Sequence, residues 1–361
     1  MSENFDIVVV GAGMAGGSLA AAVGDRARVL VLEAEDAPGY HATGRSAAFW
    51  VESYGGPGVQ PLTAASGPQL HALGVLAVRH GLTLGRREQA GAVTAFAETF
   101  RAMDVEVELL GREAIAARVP GLREAWSCGA LEPTTCDIDV ARLHQHYLSA
   151  ARQSGAQVAC RAGLRTARRE GGLWHLELAD GRCVTCTTLV NAAGAWADTV
   201  ATLAGARPLG ITPLRRTIAQ LVMADAVPDT LPLVLDVEGT FYFKPENGRI
   251  WLSPHDETPS QPCDAAPEEL DIALAIDRFQ KVVDWRIERV EHRWAGLRSF
   301  APDRLPVYGF DADVEGFFWC AGQGGFGIQT APAGADLAAR LLLGEPAGAV
   351  DPQPYSPLRF S

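Results

Sequence analysis

Residues 5–33 read FDIVVVGAGMAGGSLAAAVGDRARVLVLE, and the predicted architecture follows from this segment. The apolar, β-branched run at 5–10 indicates a buried parallel strand. A glycine turn at 11–16, a helix of small residues, a second buried strand at 28–32 and the acidic residue Glu33 come next. The order strand, GxGxxG, helix, strand and acidic residue predicts a dinucleotide-binding βαβ unit.

Each glycine of this turn has a separate predicted role. Gly11 permits the tight turn, Gly13 lets the backbone approach a pyrophosphate, and Gly16 lets the helix pack closely on the strand. The helix N-terminus offers N–H groups and a positive dipole end to the phosphates. We expect Glu33 to accept hydrogen bonds from the ribose hydroxyls.

The amino-acid composition excludes some classes of function. The chain has 361 residues, is 48% hydrophobic and carries a net charge of −12, so we expect a folded chain of about two domains that does not bind nucleic acid non-specifically. Every cation except Lys244 and Lys281 is an arginine. Because arginine forks match carboxylates, an inward-facing arginine is a candidate anion clamp.

The seven cysteines are an odd number and do not suggest a disulfide scaffold. Cys183 and Cys186 form a CxxC pair, but it lies in a predicted strand without a histidine cluster, so we expect no metal site. The apolar N-terminal run has an acidic flank and internal glycines, unlike a signal peptide. We expect a soluble, cytoplasmic protein with no transmembrane segment.

Four motifs carry a family resemblance. The segment GYHATGRSA at 39–47 resembles the flavin-contacting stretch of the D-amino-acid oxidase family of FAD enzymes. NAAGAWA at 191–197, WAGLRSF at 294–300 and GQGGFGIQ at 322–329 resemble later flavin motifs of that family, in the same order. Within the family, the chain most resembles D-arginine dehydrogenases. Attachment motifs for covalent flavin are not matched, despite His41 near the expected flavin, so the resemblance implies non-covalent FAD.

The resemblance and the glycine motif together imply one set of cofactor-binding residues. These are Gly11, Gly13, Met14, Ala15, Gly16, Glu33, Ala34, Thr43, Gly44, Arg45, Ser46, Ala47, Ala193, Gly194, Trp196, Arg298, Gly324, Gly325, Phe326, Gly327, Ile328 and Gln329.

The positions of the flavin motifs predict the domain organisation. We predict an α/β protein with a discontinuous Rossmann-like FAD-binding domain and an inserted substrate domain of mixed or antiparallel sheet, with a catalytic pocket between them. The FAD-binding segments are 1–46, 141–207 and 294–361, and the substrate-binding segments are 47–140 and 208–293. Predicted helices are 141–154, 268–283 and 330–343, residues 62–105 are predicted as helix then strand, and predicted strands are 173–178, 182–190, 216–222, 240–244, 249–253, 285–294 and 316–321.

Arg298 and Arg216 are the candidate clamp for a substrate carboxylate, although either can be an ordinary buried ion-pair partner. Tyr242 can add one hydroxyl donor without charge, or can simply be a half-buried strand tyrosine. The loop 324–327 precedes the last helix, whose N-terminal dipole can stabilise negative charge on the flavin.

The resemblance assigns further roles. Residues matching Arg216, Tyr242 and Arg298 hold the substrate carboxylate in the D-arginine dehydrogenase-like enzymes, and those matching Gly325 and Gln329 line the site. Tyr54 matches a lid tyrosine. Glu88 matches a carboxylate that pairs with the substrate guanidinium, although Gln89 can occupy that position instead.

The chain departs from this group just before the lid tyrosine. Phe49 and Val51, with Trp50 between them, replace a polar histidine and threonine. This change favours apolar or aromatic D-amino acids over D-arginine, whereas a retained Glu88 would still permit a basic one.

The predicted reaction is FAD-dependent oxidative deamination of a D-amino acid. Hydride passes from Cα to flavin N5, and the resulting imino acid hydrolyses to a 2-oxo acid and ammonia. The alternatives are oxidation of a 2-hydroxy acid, for which no histidine stands out as the base, a glycine- or sarcosine-type amine oxidase, and a non-catalytic flavin-binding protein.

The electron acceptor is expected to be a quinone or oxygen. Oxygen-using relatives place a lysine above the flavin, and Lys244, two residues beyond Tyr242 on one strand face, is the candidate here. We favour a dehydrogenase that acts as a monomer or weak dimer.

Overall fold

The computed structural model describes residues 3–360, which contain 21 strands and eight α-helices. The strands are β1 (Glu3–Val10), β2 (Val29–Leu32), β3 (Phe49–Trp50), β4 (Leu76–Val78), β5 (Gly81–Arg86), β6 (Glu108–Gly111), β7 (Trp126–Glu132), β8 (Cys136–Ile138), β9 (Gln157–Ala159), β10 (Leu164–Glu170), β11 (Leu173–Leu178), β12 (Cys183–Asn191), β13 (Thr212–Met223), β14 (Leu233–Asp236), β15 (Tyr242–Glu246), β16 (Arg249–Ser253), β17 (Thr258–Pro259), β18 (Ile287–Phe300), β19 (Val307–Phe310), β20 (Phe317–Ala321) and β21 (Gln323–Gly324). The helices are α1 (Met14–Val23), α2 (Gln60–Ala72), α3 (Ala90–Arg101), α4 (Arg112–Arg118), α5 (Val140–Gln153), α6 (Ala197–Leu203), α7 (Glu269–Gln280) and α8 (Ala331–Leu343).

The first sheet contains the predicted βαβ unit. Its main path is β10-β11-β12-β1-β2-β9, with β20 paired to β12 and β19 paired to β20. β1 lies parallel to both β2 and β12, so that Ile7 is opposite Val29 and Thr188. Helices cover both faces of such a parallel core, which explains why residues 7–10 and 29–32 are buried without alternation.

The second sheet is larger and mixed. Its main path is β21-β18-β13-β16-β15-β14-β5-β7-β6, with β17 on β13. All pairs are antiparallel except β14 with β5. A small third sheet has the order β3-β8-β4. The predicted fold class, α/β with a Rossmann-like part and a mixed-sheet part, is confirmed.

The predicted boundary at 293/294 falls inside one strand. β18 pairs with β13 from Ile287 opposite Met223 to Phe300 opposite Thr212. Residues 294–300, which we assign to the FAD-binding domain from sequence, therefore belong to the second sheet. The physical reason is that a 14-residue strand is long enough to run from the substrate side into the cofactor side without a break.

The predicted elements differ from the observed ones mainly in length. Residues 62–105 hold two helices, α2 and α3, with β4 and β5 between them, so the prediction of one helix and then a strand is wrong. The predicted strands 216–222 and 285–294 are parts of the longer β13 and β18. β18 is buried only towards its C-terminal end, whereas β13 is buried along most of its length, so neither strand shows the alternation that marks a strand in the sequence.

All seven cysteines are free, with Cys183 exposed and Cys186 buried on β12. Within residues 3–360 there is no group of three or more histidine, cysteine, aspartate or glutamate side chains placed to hold a metal ion. In the same range no helix has the length and apolar character needed to cross a membrane.

Candidate active site

A cleft with a volume of about 390 Å³ opens beyond the carboxyl ends of β1, β2 and β12. Ligands of open α/β sheets commonly bind at this position. The cleft brings together most of the predicted cofactor residues, from four separate parts of the chain. Those that line it are Gly11, Gly13, Met14, Ala15, Glu33, Ala34, Thr43, Arg45, Ser46, Ala193, Gly194, Trp196, Arg298, Gly324, Gly325, Gly327 and Ile328.

The glycine turn depends on close backbone contacts. Gly11 has a φ of +107°, and a Cβ added there would lie 2.5 Å from the Ala192 carbonyl oxygen. A Cβ on Gly16 would lie 1.9 Å from the carbonyl oxygen of Gly11. Gly16 does not line the cleft, so its role is to let α1 approach the turn rather than to contact a ligand.

Glu33 and Thr43 join the turn in one hydrogen-bonded unit. The buried carboxylate of Glu33 accepts the N–H of Ala12 at 3.2 Å, and Thr43 Oγ1 accepts the N–H of Met14 at 3.0 Å. A Cβ on Gly13 would come within 3.2 Å of that same Thr43 oxygen. A backbone-lined turn, a helix N-terminus and an oriented carboxylate beside one elongated cleft fit a dinucleotide such as FAD.

Three other predicted cofactor residues lie behind the wall of the cleft. A Cβ on Gly44 would lie 2.8 Å from the Gly39 carbonyl oxygen, which indicates a tight turn. Ala47 is buried in an apolar cluster, and Phe326 packs its ring 5.3 Å from that of Tyr54. These residues support the lining and do not form it.

Gln329 is used within the protein. Its Oε1 accepts the N–H of Val51 at 3.2 Å, and its Nε2 donates to the Tyr54 carbonyl at 3.0 Å and to Thr63 Oγ1 at 2.9 Å. Gln329 is 2% exposed and absent from the lining. The expectation that it contacts cofactor or substrate is therefore corrected, because its amide ties the backbone of Val51 and Tyr54 to the start of α8.

Arg298 presents an open cation to the cleft. Its Nη2 donates to the Arg45 carbonyl at 2.8 Å, whereas its buried Nη1 has no hydrogen-bond partner among the described residues. Burial lowers the pKa of the Arg298 guanidinium, and the positive charge of Arg216 acts in the same direction. The side chain nevertheless stays charged at neutral pH, because arginine holds its proton so strongly. A buried charged donor without a partner is costly, and an anionic ligand would satisfy it.

The guanidinium of Arg216, unlike that of Arg298, has a protein acceptor at each of its three nitrogens. Its Nε donates to the Asp256 carbonyl at 2.8 Å, its Nη1 to Tyr54 Oη at 3.1 Å and its Nη2 to Glu257 Oε1 at 3.0 Å. Glu257 also pairs with Arg304 at 2.6 Å. The predicted free fork is thus partly occupied, since three of the five N–H donors of this guanidinium already have protein acceptors.

His255 is a site residue that sequence reasoning missed. Its Nδ1 lies 2.5 Å from the Gly239 carbonyl oxygen and its Nε2 lies 3.3 Å from Tyr54 Oη. Burial and the charge of Arg216 lower the pKa of His255 to about 4, so the ring is neutral at pH 7. The only sequence signal was the polar run His255-Asp256-Glu257 directly after a predicted strand.

Four aromatic rings pack together near Arg216, and none of them is among the residues that line the cleft. The Phe49 ring lies 5.0 Å from the ring of Tyr54 and 5.6 Å from that of Tyr242, which in turn lies 5.6 Å from the His255 ring. Phe49 belongs to the apolar cluster with Val51, as the departure from the family pattern suggests. Trp50 points the other way and donates its Nε1–H to the Thr63 carbonyl, so it does not join these rings.

Glu88 is remote from the cleft. Glu88 follows the end of β5, its side chain is 72% exposed, and it pairs with Arg86 of that strand at 3.3 Å. Gln89 is buried, but its Oε1 caps the N–H of Arg86 at 2.8 Å. Neither residue lines the cleft, so the role of a substrate-binding carboxylate at this position is corrected. An ungapped alignment through a poorly matching segment is the cause of the error.

The two lysines also lie away from the cleft. Lys244 is buried, with its Nζ 2.7 Å from Asp137 and 2.9 Å from Glu246. Lys281 pairs with Asp277 on the surface. The position expected for an oxygen-activating lysine is therefore not filled by Lys244, which forms ion pairs with two carboxylates instead.

Curated relatives agree on the family. Hydrogen cyanide synthase subunit HcnC of Pseudomonas aeruginosa is 30% identical over 241 residues, which cover 66% of this chain and 56% of that protein. Glycine oxidase of the same species is 30% identical over 171 residues, covering 46% of this chain and 44% of that protein. The chain thus matches about half the length of these relatives. Neither is a D-arginine dehydrogenase, so the resemblance to that group stays a prediction.

Solved structures share the fold. Glycine oxidase from Geobacillus kaustophilus superimposes with a TM-score of 0.86 at 21% identity, covering 98% of both chains. L-proline dehydrogenase from P. horikoshii gives a TM-score of 0.86 at 20% identity, covering 100% of this chain and 98% of that one. Residues 6–341 match the family model DAO, described as FAD dependent oxidoreductase. The chain therefore belongs to the DAO family of FAD-dependent oxidoreductases, and its cofactor is FAD.

Proposed function

We propose that this chain oxidises the carbon–nitrogen bond of an amino acid, with glycine or a small D-amino acid as its substrate. The observation that carries the proposal is that Arg298, a residue of the cleft lining, has a buried Nη1 with no protein acceptor among residues 3–360. A substrate carboxylate would supply that acceptor in the bidentate geometry that a guanidinium favours.

The neighbouring residues suit the same task. Burial raises the pKa of Tyr242, so its phenol stays protonated and can donate a hydrogen bond without adding charge. Phe49 and Val51 form an apolar cluster with Tyr242, and in such surroundings hydrogen bonds to a carboxylate are stronger than in water. Held at the carboxylate, a substrate has its Cα fixed in one place. Bound FAD supplies the acceptor for the hydrogen and the two electrons that leave Cα.

The size of the substrate is argued from the aromatic rings. Phe49, Tyr54, Tyr242 and His255 are in ring contact with one another, and we take this cluster as the boundary of the substrate site. This packing leaves little space for a long side chain, and it favours glycine or D-alanine over D-arginine and over the larger apolar D-amino acids. The names of the relatives, glycine oxidase among them, support the same choice.

His255 favours one other candidate function. A 2-hydroxy acid has the same carboxylate, and oxidation of its hydroxyl calls for a base close to the substrate. The sequence showed no such base, whereas the structure places a neutral histidine against the Tyr54 hydroxyl. Oxidation of a small 2-hydroxy acid is therefore the second candidate.

Anaerobic reduction of the flavin distinguishes the two candidates. The holoprotein is mixed with glycine, D-alanine, sarcosine, D-leucine, D-arginine, glycolate or D-lactate, and loss of the oxidised flavin absorbance is followed. We expect fast reduction by glycine or D-alanine and slow reduction by D-arginine. Reduction by the hydroxy acids alone would replace the first proposal with the second, and reduction by none of these compounds would contradict both.

We also propose that the enzyme acts as a dehydrogenase. Neither lysine lies at the cleft, and both are paired with carboxylates. Reoxidation of the reduced enzyme by a quinone should then be faster than by oxygen, which stopped-flow mixing measures directly. Its cytoplasmic location and its state as a monomer or weak dimer stay predictions.

A further inference from the structure

The Tyr54 hydroxyl lies where the cleft meets a polar cluster. Its oxygen is 3.1 Å from Nη1 of Arg216 and 3.3 Å from Nε2 of His255. A Cβ on Gly325, a residue of the cleft lining, would lie 3.2 Å from the same oxygen. The hydroxyl therefore has two protein partners and lies beside Gly325 of the cleft lining, although Tyr54 is not itself one of the lining residues.

The partners fix the direction of each hydrogen bond. The Gly239 carbonyl can only accept, so Nδ1 of His255 carries the ring hydrogen. Because the ring is neutral at pH 7, Nε2 keeps its lone pair. A guanidinium can only donate. Tyr54 therefore accepts a hydrogen bond from Arg216 and donates its own hydrogen to His255.

We propose that His255 is a positioning residue that holds the Tyr54 hydrogen away from the cleft, so that the remaining lone pair of Tyr54 Oη accepts an N–H of the substrate amine. This inference rests on the proposed function. The nitrogen lone pair forms the C=N bond as the Cα–H bond breaks. A Tyr54 O–H turned towards the nitrogen would occupy that lone pair, whereas the orientation set by His255 leaves it free.

The backbone at His255 is consistent with a fixed role. Its φ of +54° lies in the left-handed region, which non-glycine residues seldom adopt and which is enriched at functional sites. Hydrogen bonds at both ring nitrogens hold the side chain in this conformation.

The charged and titratable groups that face His255 come from several elements. They are Arg216 of β13, Glu257 of the same loop, Arg304 of the loop after β18, and the phenols of Tyr54 and Tyr242. The two arginines disfavour a second proton on the ring, and Glu257, which pairs with both of them, opposes this effect.

Nuclear magnetic resonance of histidine-ring ¹⁵N in the holoprotein tests the orientation without turnover. At pH 7 we expect His255 as the Nδ1–H tautomer with an unprotonated Nε2, assigned by the signals that His255→Gln removes. Tyr54→Phe should shift the Nε2 resonance and leave Nδ1–H in place. A protonated Nε2 at pH 7, in either the other tautomer or an imidazolium, would overturn the inference.

A double-mutant cycle tests the effect on catalysis. His255→Leu should slow flavin reduction by saturating glycine about tenfold, the scale of one hydrogen bond, with little change in glycine affinity. His255→Gln keeps an N–H for Gly239 and an oxygen for Tyr54, so it should recover most of the rate. In a Tyr54→Phe background, His255→Leu should have almost no further effect.

The control is His175→Gln, which changes an exposed histidine on β11 and should leave the rate unchanged. Losses that add in the double variant, or a His255→Gln variant as slow as His255→Leu, would show that His255 does not act through the Tyr54 hydroxyl. If no amine reduces the wild-type flavin, the proposed function fails, while the resonance experiment still decides the orientation.

Discussion

The glycine turn and the Arg216 cluster both prepare the protein for negative charge, but they are built differently. The turn uses backbone groups from one contiguous segment, residues 11–16, together with Glu33. The cluster joins side chains of Arg216, Tyr54 and Glu257, which come from three distant parts of the chain. A site made of local backbone is visible as a spacing in the sequence, whereas a site made of converging side chains is visible only after folding.

The largest effect should come from a methyl group in the glycine turn. In Gly16→Ala the new Cβ would lie 1.9 Å from the Gly11 carbonyl oxygen, so α1 or the turn must move. We expect loss of most bound FAD and a large fall in thermal stability, because overpacking of a rigid contact is costly. Flavin absorbance after gel filtration and the melting temperature measure both effects.

Gly91→Ala is the matched control for this helix substitution. Gly91 lies in α3 with no neighbouring atom within 4 Å of an added Cβ, so this variant should bind FAD normally. Equal FAD content in the two variants would contradict the claim that the glycine turn is sterically fixed.

Arg298→Leu should show that one open guanidinium dominates substrate binding. Of Arg216 and Arg298, only Arg298 has a buried Nη group without a protein partner among the described residues, and this variant removes it. We therefore expect kcat/KM for the amine substrate to fall about a thousandfold. Steady-state kinetics with the substrate identified by flavin reduction measure this.

Arg293→Leu changes an exposed arginine five positions earlier on the same strand and should have almost no effect. A larger loss of kcat/KM in Arg216→Leu than in Arg298→Leu would contradict the claim that Arg298 contributes more to substrate binding than Arg216.

The stability of the fold should depend on pH through the buried carboxyl group of Glu132, which holds the backbone of Ser53. Glu132 is buried, its carboxylate accepts the N–H of Ser53 at 3.2 Å, and burial raises its pKa from 4.5 to about 7. Between pH 4.5 and pH 7, Glu132 is therefore protonated in the folded protein and ionised in the unfolded chain. Stability from this group is full below pH 4.5 and falls as pH rises to 7, by up to about 3 kcal/mol.

Glu132→Gln cannot ionise, so its free energy of unfolding relative to wild type should rise over the same range. Urea unfolding at pH 5, 6, 7 and 8 measures the difference. A constant difference across these pH values would show that Glu132 does not titrate in the folded state.

The smallest effect should come from Glu257→Gln. Glu257 occupies Nη2 of Arg216 at 3.0 Å, so removing its charge should make Arg216 more available to a ligand carboxylate. We expect tighter binding by about threefold, the scale of one partly exposed ion pair. Perturbation of the flavin spectrum by acetate measures the affinity.

Glu315→Gln removes a surface partner of Arg169 and serves as the control. Weaker acetate binding in Glu257→Gln than in this control would mean that Glu257 holds Arg216 in its binding position rather than competing with the ligand.

The cofactor side was largely predictable because its determinants are short-range. Residues 5–33 contain every element of the βαβ unit, and the backbone requirements at Gly11 and Gly16 follow from the chain's own geometry. The substrate side was predicted less well. Glu88 was placed by an ungapped alignment and lies on the surface, and Gln329 was assigned to the ligand although its amide is satisfied within the protein.

The sequence by itself determined the α/β fold class and the place of the dinucleotide, since these depend on local periodicity, glycine spacing and a contiguous motif, but it offered both Arg216 and Arg298 as the clamp for a carboxylate. Only the tertiary structure decided which arginine is free, because Asp256 and Glu257 reach Arg216 from β-sheet neighbours far away in sequence. It also placed His255 against Tyr54, a contact across 201 positions. Contacts of that range depend on strand register and loop conformation, and no local pattern specifies them.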